Sequence, residues 1–75
     1  MIDPARIDEE CAAFARRVQL RRKEAGLSQA EFAKRASMTQ GAISAFEGGR
    51  GSPSLVTVLR LANALGISAA RFFKD

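Results

Sequence analysis

Few side chains in this chain are of a type and spacing that could do covalent chemistry. It holds one cysteine, Cys11, and no histidine, tryptophan or tyrosine. Without an imidazole there is neither a histidine base nor a histidine metal ligand, and a single thiol excludes an internal disulfide framework and a four-cysteine zinc site. Ser28 and Lys34 offer a hydroxyl and an amine, but a helix cap and a wet helix face account for them better than a nucleophile and its base. No phosphate-cradling glycine fingerprint can be assembled. An enzyme is therefore the least favoured class, and no catalytic residue, metal or cofactor is assigned.

What the side chains do offer is charge. Twelve Lys and Arg against eight Asp and Glu leave a net charge of +4 and a pI near 10.2. That excess suits a polyanionic partner, although it also serves solubility. The acidic opening MIDPARIDEE lacks the basic and apolar regions of a secretory signal, and no apolar run approaches the roughly 18 residues a membrane span needs. The expectation is a cytoplasmic protein in a reducing compartment, with no membrane partner and no small-molecule substrate.

The 75 residues make one domain, and the elements that must position these charges read as five helices, near 5–25, 29–36, 40–47, 55–65 and 69–73. Turn signals at Gly26, Ser37, Gly48 to Pro53 and Gly66 separate them, and no stretch reads as a strand. In the first helix, starting near Asp8 or as early as Asp3-Pro4, Ile7, Cys11, Phe14, Val18 and Ala25 recur at helical spacing. Cys11 therefore reads as a small core residue. Asp8, Glu9 and Glu10 at the start, with Arg16, Arg17, Arg21, Arg22 and Lys23 in the second half, follow the helix dipole, which gives this basic cluster a structural explanation. Arg22 stands apart, because it falls on the apolar stripe, where a charge needs a partner.

Leu27-Ser28-Gln29-Ala30-Glu31-Phe32 is a capping box with a hydrophobic staple and fixes the start of the second helix. Phe32, Ala33 and Ala36 form its inner face. Thr39, eleven residues after Ser28, starts a third helix that turns Ile43 and Phe46 inward with Glu47 beside them. In the fourth helix Leu55, Val58, Leu59, Ala62 and Leu65 are expected inside. Ser68 caps a last short helix carrying Phe72 and Phe73, of which one ring is spare for a dimer or foreign contact. Two short helices joined by a three- or four-residue turn, within an all-helical basic domain, match the helix-turn-helix plan. Ala33 is small where the two helices cross, and Ile43 plugs the angle between them.

The run GLSQAEFAKRASMTQGAISAFEGGRGSPSLVTVLRLANALGIS resembles the phage repressor and Cro-type (XRE-like) helix-turn-helix regulators. The likeness lies in Gly-Leu-Ser-Gln, Phe-Ala, Ile-Ser, Glu-x-Gly, Pro-Ser-Leu and Leu-Ala-x-Ala-Leu-Gly, and extends from about Val18 to Phe72. It implies an all-α, compact five-helix domain of lambda-repressor type that binds double-stranded operator DNA as a homodimer, with the third helix in the major groove of a palindromic site. Residue by residue, it implies that Gln29 contacts a phosphate and braces Gln40, and that Gln40 reads a base, with Thr39, Gly41, Ala42, Ser44 and Ala45 at the same surface. Arg50, in the Gly48 to Pro53 loop, is implied to grip a phosphate. Glu47 is implied to form a structural ion pair with Arg22, while Phe72 and Phe73 are the candidate dimer contacts.

Two departures from the family pattern matter. Ser37 occupies a turn position where glycine is usual, and a non-glycine residue there costs on the order of 1 kcal/mol. The outward positions of the third helix offer one hydroxyl beside Gln40 and no Arg, Asn or Lys, so sequence preference is expected to rest on Gln40, contacts to thymine methyls and DNA shape. A restriction-modification controller and an antitoxin-like regulator are variants of this reading. The alternative from another class is a protein-interaction module that keeps the fold and uses the bare third helix or a spare Phe ring to bind another protein.

Overall fold

The computed structural model describes residues 3–50 and 52–73. Their order is α1 (Pro4–Glu24), α2 (Gln29–Ala36), α3 (Gln40–Glu47), α4 (Leu55–Ala64) and a closing 3-10 helix (Ala69–Phe73), with no strand among the described residues.

Each α-helix starts where a short polar side chain can satisfy an orphan amide. Asp3 Oδ1 accepts from Ala5 N–H at 3.0 Å, which places the start of α1 at Pro4 rather than near Asp8. Ser28 Oγ accepts from Glu31 N–H at 3.0 Å while Glu31 returns the contact to Ser28 N–H at 2.9 Å. Thr39 Oγ1 accepts from Ala42 N–H at 3.0 Å, and Ser54 Oγ accepts from Thr57 N–H at 3.1 Å. These hydroxyls and carboxylates fix the boundaries, since a helix start without such a partner leaves its first amides unpaired.

The core gathers one face of every element, with Val18, Phe32, Ile43, Leu61 and Phe72 fully buried. α2 packs on α3 and α4, and α1 packs on α3 and on the 3-10 helix. Phe14 of α1 ties the far ends together: its ring meets Phe46 and Phe72 edge-to-face, with centroids 5.8 and 5.4 Å apart. Such geometry sets the positive ring edge against a negative face.

The stripe expected on α1 narrows. Phe14, Ala15, Val18 and Arg22 are buried, whereas Cys11 is half-buried and Ile7 and Ala25 are exposed. The face expected on α4 is rotated. Val58, Leu61, Ala62 and Ala64 are buried and Leu65 half-buried, while Leu55, Val56 and Leu59 stand 72%, 58% and 51% exposed. The cause is compositional: apolar residues lie all round α4, so two stripes at helical spacing, through Leu59 or through Leu61, are equally apolar. Packing against α2 and the 3-10 helix selects the one through Leu61. At the end of the chain, Phe72 is fully buried and Phe73 is 63% exposed, stacked on Phe14 at 5.2 Å.

Candidate nucleic-acid interface

The turn between α2 and α3 is built on Ser37, whose backbone lies in the left-handed region at φ 57°, ψ 44°. It is the sole non-glycine residue with positive φ among those described. Met38 N–H then bonds back to Ala33 C=O at 2.8 Å, which closes the end of α2 and turns the chain toward Thr39. Ser37 thus takes a left-handed conformation that suits glycine better and carries its strain.

From Thr39 onward α3 divides into two faces. Ile43 and Phe46 are buried, Ser44 and Ala45 are half-buried, and Gln40, Gly41 and Ala42 are exposed in the first turn. No cation or anion stands on this outward face. The one acidic residue of α3, Glu47, is turned inward and neutralised.

That neutralisation is the tightest polar feature of the molecule. Arg22 Nε donates to Glu47 Oε2 at 2.7 Å and Arg22 Nη2 to Glu47 Oε1 at 3.0 Å. The two side chains are only 9% and 2% exposed. Arg22 Nη1 donates further to Leu27 C=O at 2.8 Å, and Gln29 Nε2 donates to Glu47 Oε1 at 3.0 Å. A fork-to-fork pair of this kind fixes angle as well as distance. It fastens α3 to α1 and to the start of α2, so the expected pair of Arg22 and Glu47 is present and carries an extra member. Gln29 is that member, a role its place at the start of α2 does not reveal. Its amide is held by Glu47, and no hydrogen bond joins it to Gln40.

Beyond α3, Arg50 N–H bonds to Ala45 C=O at 2.9 Å, which folds the loop back over the end of the helix. The Arg50 side chain is exposed and has no ion pair among the described residues. The expected phosphate-contacting loop from Gly48 to Pro53 includes Gly51, which lies outside the described residues. A shallow cleft runs from α3 to the start of α4, lined by Ala42, Ala45, Arg50, Ser52 and Thr57, with Met38 at its edge. Met38, Ser52 and Thr57 have no marker in the chain that would single them out; Met38 lies in the turn before α3, and the fold brings Ser52 and Thr57 beside it. Phe72, a candidate dimer contact, is inaccessible, and of the two rings Phe73 alone reaches the surface.

A helical pair held at a fixed angle by a left-handed turn, with an uncharged face outward and a cation beside it, defines a helix-turn-helix protein. A profile described as a helix-turn-helix domain matches residues 13–72, and the chain belongs to that family. An uncharacterized HTH-type transcriptional regulator of Methanothermobacter thermautotrophicus is 53% identical over 45 residues, 60% of this chain and 65% of that protein. Another, of Sinorhizobium fredii, is 43% identical over 47 residues, 63% and 61% of the two chains. The chain thus spans just under two thirds of the length of these relatives. Among solved structures, the restriction-modification controller protein C.AhdI from Aeromonas hydrophila superposes with a TM-score of 0.84 at 31% identity, covering 87% of this chain and 98% of that one. The hypothetical transcription factor NHTF from Neisseria gives 0.77 at 31% identity, over 81% and 70%. These relatives are named as transcriptional regulators, a restriction-modification controller protein and a hypothetical transcription factor, a non-enzymatic class. No described helix is long and apolar enough to cross a membrane.

Proposed function

We propose that the protein is a sequence-specific, double-stranded-DNA-binding transcriptional regulator that acts in the cytoplasm as a homodimer on a palindromic operator, with α3 in the major groove. The observation that carries this reading is the exposed first turn of α3, where Gln40, Gly41 and Ala42 project from a helix seated on Ile43 and Phe46 and anchored at its far end by the Arg22–Glu47 pair. Gln40 reads adenine through its amide, Ala42 and Ala45 touch thymine methyls, and Ser44 adds one hydroxyl. Thr39 lies at the start of this ridge. Arg50 grips a phosphate, and Gln29, with one amide hydrogen given to Glu47, has the other free for the backbone.

Gln40 and Ser44 alone read too few base pairs to single out an operator, so a second copy supplies the other half-site. The α4 ridge of Leu55, Val56 and Leu59, with Phe73, is the apolar surface available for that copy. Burying the exposed part of each side chain is worth about 1 kcal/mol. The likeness to a restriction-modification controller favours that kind of regulator over an antitoxin.

In vitro selection from random duplex DNA tests binding, preference and half-site spacing together. An A/T-rich, two-fold consensus with half-sites about one helical turn apart is expected, and binding weakens as salt rises. A long, sharply defined G-rich consensus contradicts the assignment of Gln40. Indifference to every duplex, combined with capture of a protein partner by α3, favours the interaction-module alternative.

A further inference from the structure

The glycines of this chain differ in why they are glycines. Gly26, Gly49 and Gly66 have φ of +73°, +79° and +69°, a region side chains rarely adopt. Gly48 has an ordinary φ, but a Cβ there would lie 3.3 Å from Ser44 C=O oxygen and 3.6 Å from that of Ala45. Gly41 has neither reason. Its φ is not positive, and the nearest atom a Cβ would meet is Thr39 Oγ1 at 4.0 Å. The fold has room for alanine at this position and would gain from it, since glycine is the poorer helix former.

The preceding helix supplies the comparison. Ser28-Gln29-Ala30 opens α2 and Thr39-Gln40-Gly41 opens α3, each with a hydroxyl cap, a glutamine in first place and a small residue in second. α2 carries the methyl; α3 does not. Ala30 and Gly41 are both exposed, so a demand from the core accounts for neither choice.

We propose that Gly41 is the point of closest approach between α3 and the duplex, where an edge of the DNA rests against bare backbone and the absence of a Cβ sets how deep the helix sits. The inference rests on the reading of α3 as the helix that enters the groove. It makes Gly41 a determinant of affinity through depth: a methyl at this point lifts the first turn and with it lengthens the hydrogen bonds of Gln40.

The two properties are therefore set against each other at one residue, which the experiment reads directly. Gly41→Ala and Gly41→Leu are compared with wild type by thermal melting and by titration with the duplex recovered by selection. Gly41→Ala should melt about 2–8 °C higher and bind about 5- to 150-fold more weakly, as expected for one methyl forced into a filled contact. Gly41→Leu should bind more weakly still while remaining folded. Equal binding by wild type and Gly41→Ala overturns this inference and leaves the functional reading intact. A lower melting temperature for Gly41→Ala also overturns it, because the reason for glycine would then lie inside the fold. Wild-type protein that binds no duplex overturns both.

Discussion

α2 and α3 have the same length of eight residues and the same type of cap, and each begins with glutamine; beyond the missing methyl of Gly41, they part in charge at the third position. α2 places Glu31 there, whose carboxylate closes the capping box on Ser28 N–H at 2.9 Å, and follows it with Lys34 and Arg35. α3 places Ala42 there, leaves the box open, and carries no charge until Glu47. The first helix is stabilised by its own side chains. The second forgoes a reciprocal cap, mixes Gly41, Ile43 and Ser44 among its better helix formers, and relies on Thr39 at one end and Arg22 at the other. On the proposed function, the weaker helix is the one turned to the duplex, where a carboxylate would repel the phosphates and a bulky side chain would obstruct approach.

The comparison breaks most severely at Glu47. Glu47→Ala strands the Arg22 guanidinium in the interior, and a loss of about 3–5 kcal/mol of stability is expected by urea denaturation, enough to leave much of so small a domain unfolded. Ala42→Glu makes α3 resemble α2. It should close a capping box on Thr39 and leave the melting temperature equal or higher, while duplex affinity falls about 100-fold as a carboxylate meets the phosphates. Ser37→Gly removes the left-handed strain between the two helices and should stabilise the fold by about 0.5–1 kcal/mol with DNA preference unchanged.

The smallest effect is a pH dependence confined to α2. Hydrogen bonds from Ser28, its backbone N–H first and its hydroxyl second, hold the Glu31 carboxyl below its ordinary value of 4.5, with Arg35 adding to the shift. A carboxyl whose value is lowered by folding stabilises the native state fully above 4.5 and loses that contribution as pH falls through the lowered value. Glu31→Ala should therefore melt below wild type at pH 7, with the gap narrowing as the solution is acidified below 4.5. α3, which has no such carboxylate in its first turn, has no counterpart to this titration.

The helix starts at Ser28 and Thr39 were legible in the chain because caps are local and declare themselves within three residues. The Arg22–Glu47 pair was legible through the family resemblance, and Arg22 alone through its place on an apolar stripe. The inner face of α4 was not, since Leu55, Val56, Leu59 and Leu61 differ in burial and hardly in chemistry. Neither was the use of Gln29, whose partner lies 18 residues away, nor the choice between Phe72 and Phe73, consecutive rings that both meet Phe14 and of which the core takes in Phe72 alone. Local signals survive a reading of the chain; choices made by tertiary packing among similar residues do not.

The buried joint linking Arg22, Glu47, Gln29 and the Leu27 carbonyl separates two responses to ionic strength. On the proposed function, counterions crowd the outer surface and compete there for phosphate but scarcely reach the buried side chains of Arg22 and Glu47, so the tilt of α3 should stay constant while its grip slackens. Concentrated electrolyte should thus release the duplex from an undistorted protein, ready to rebind on dilution.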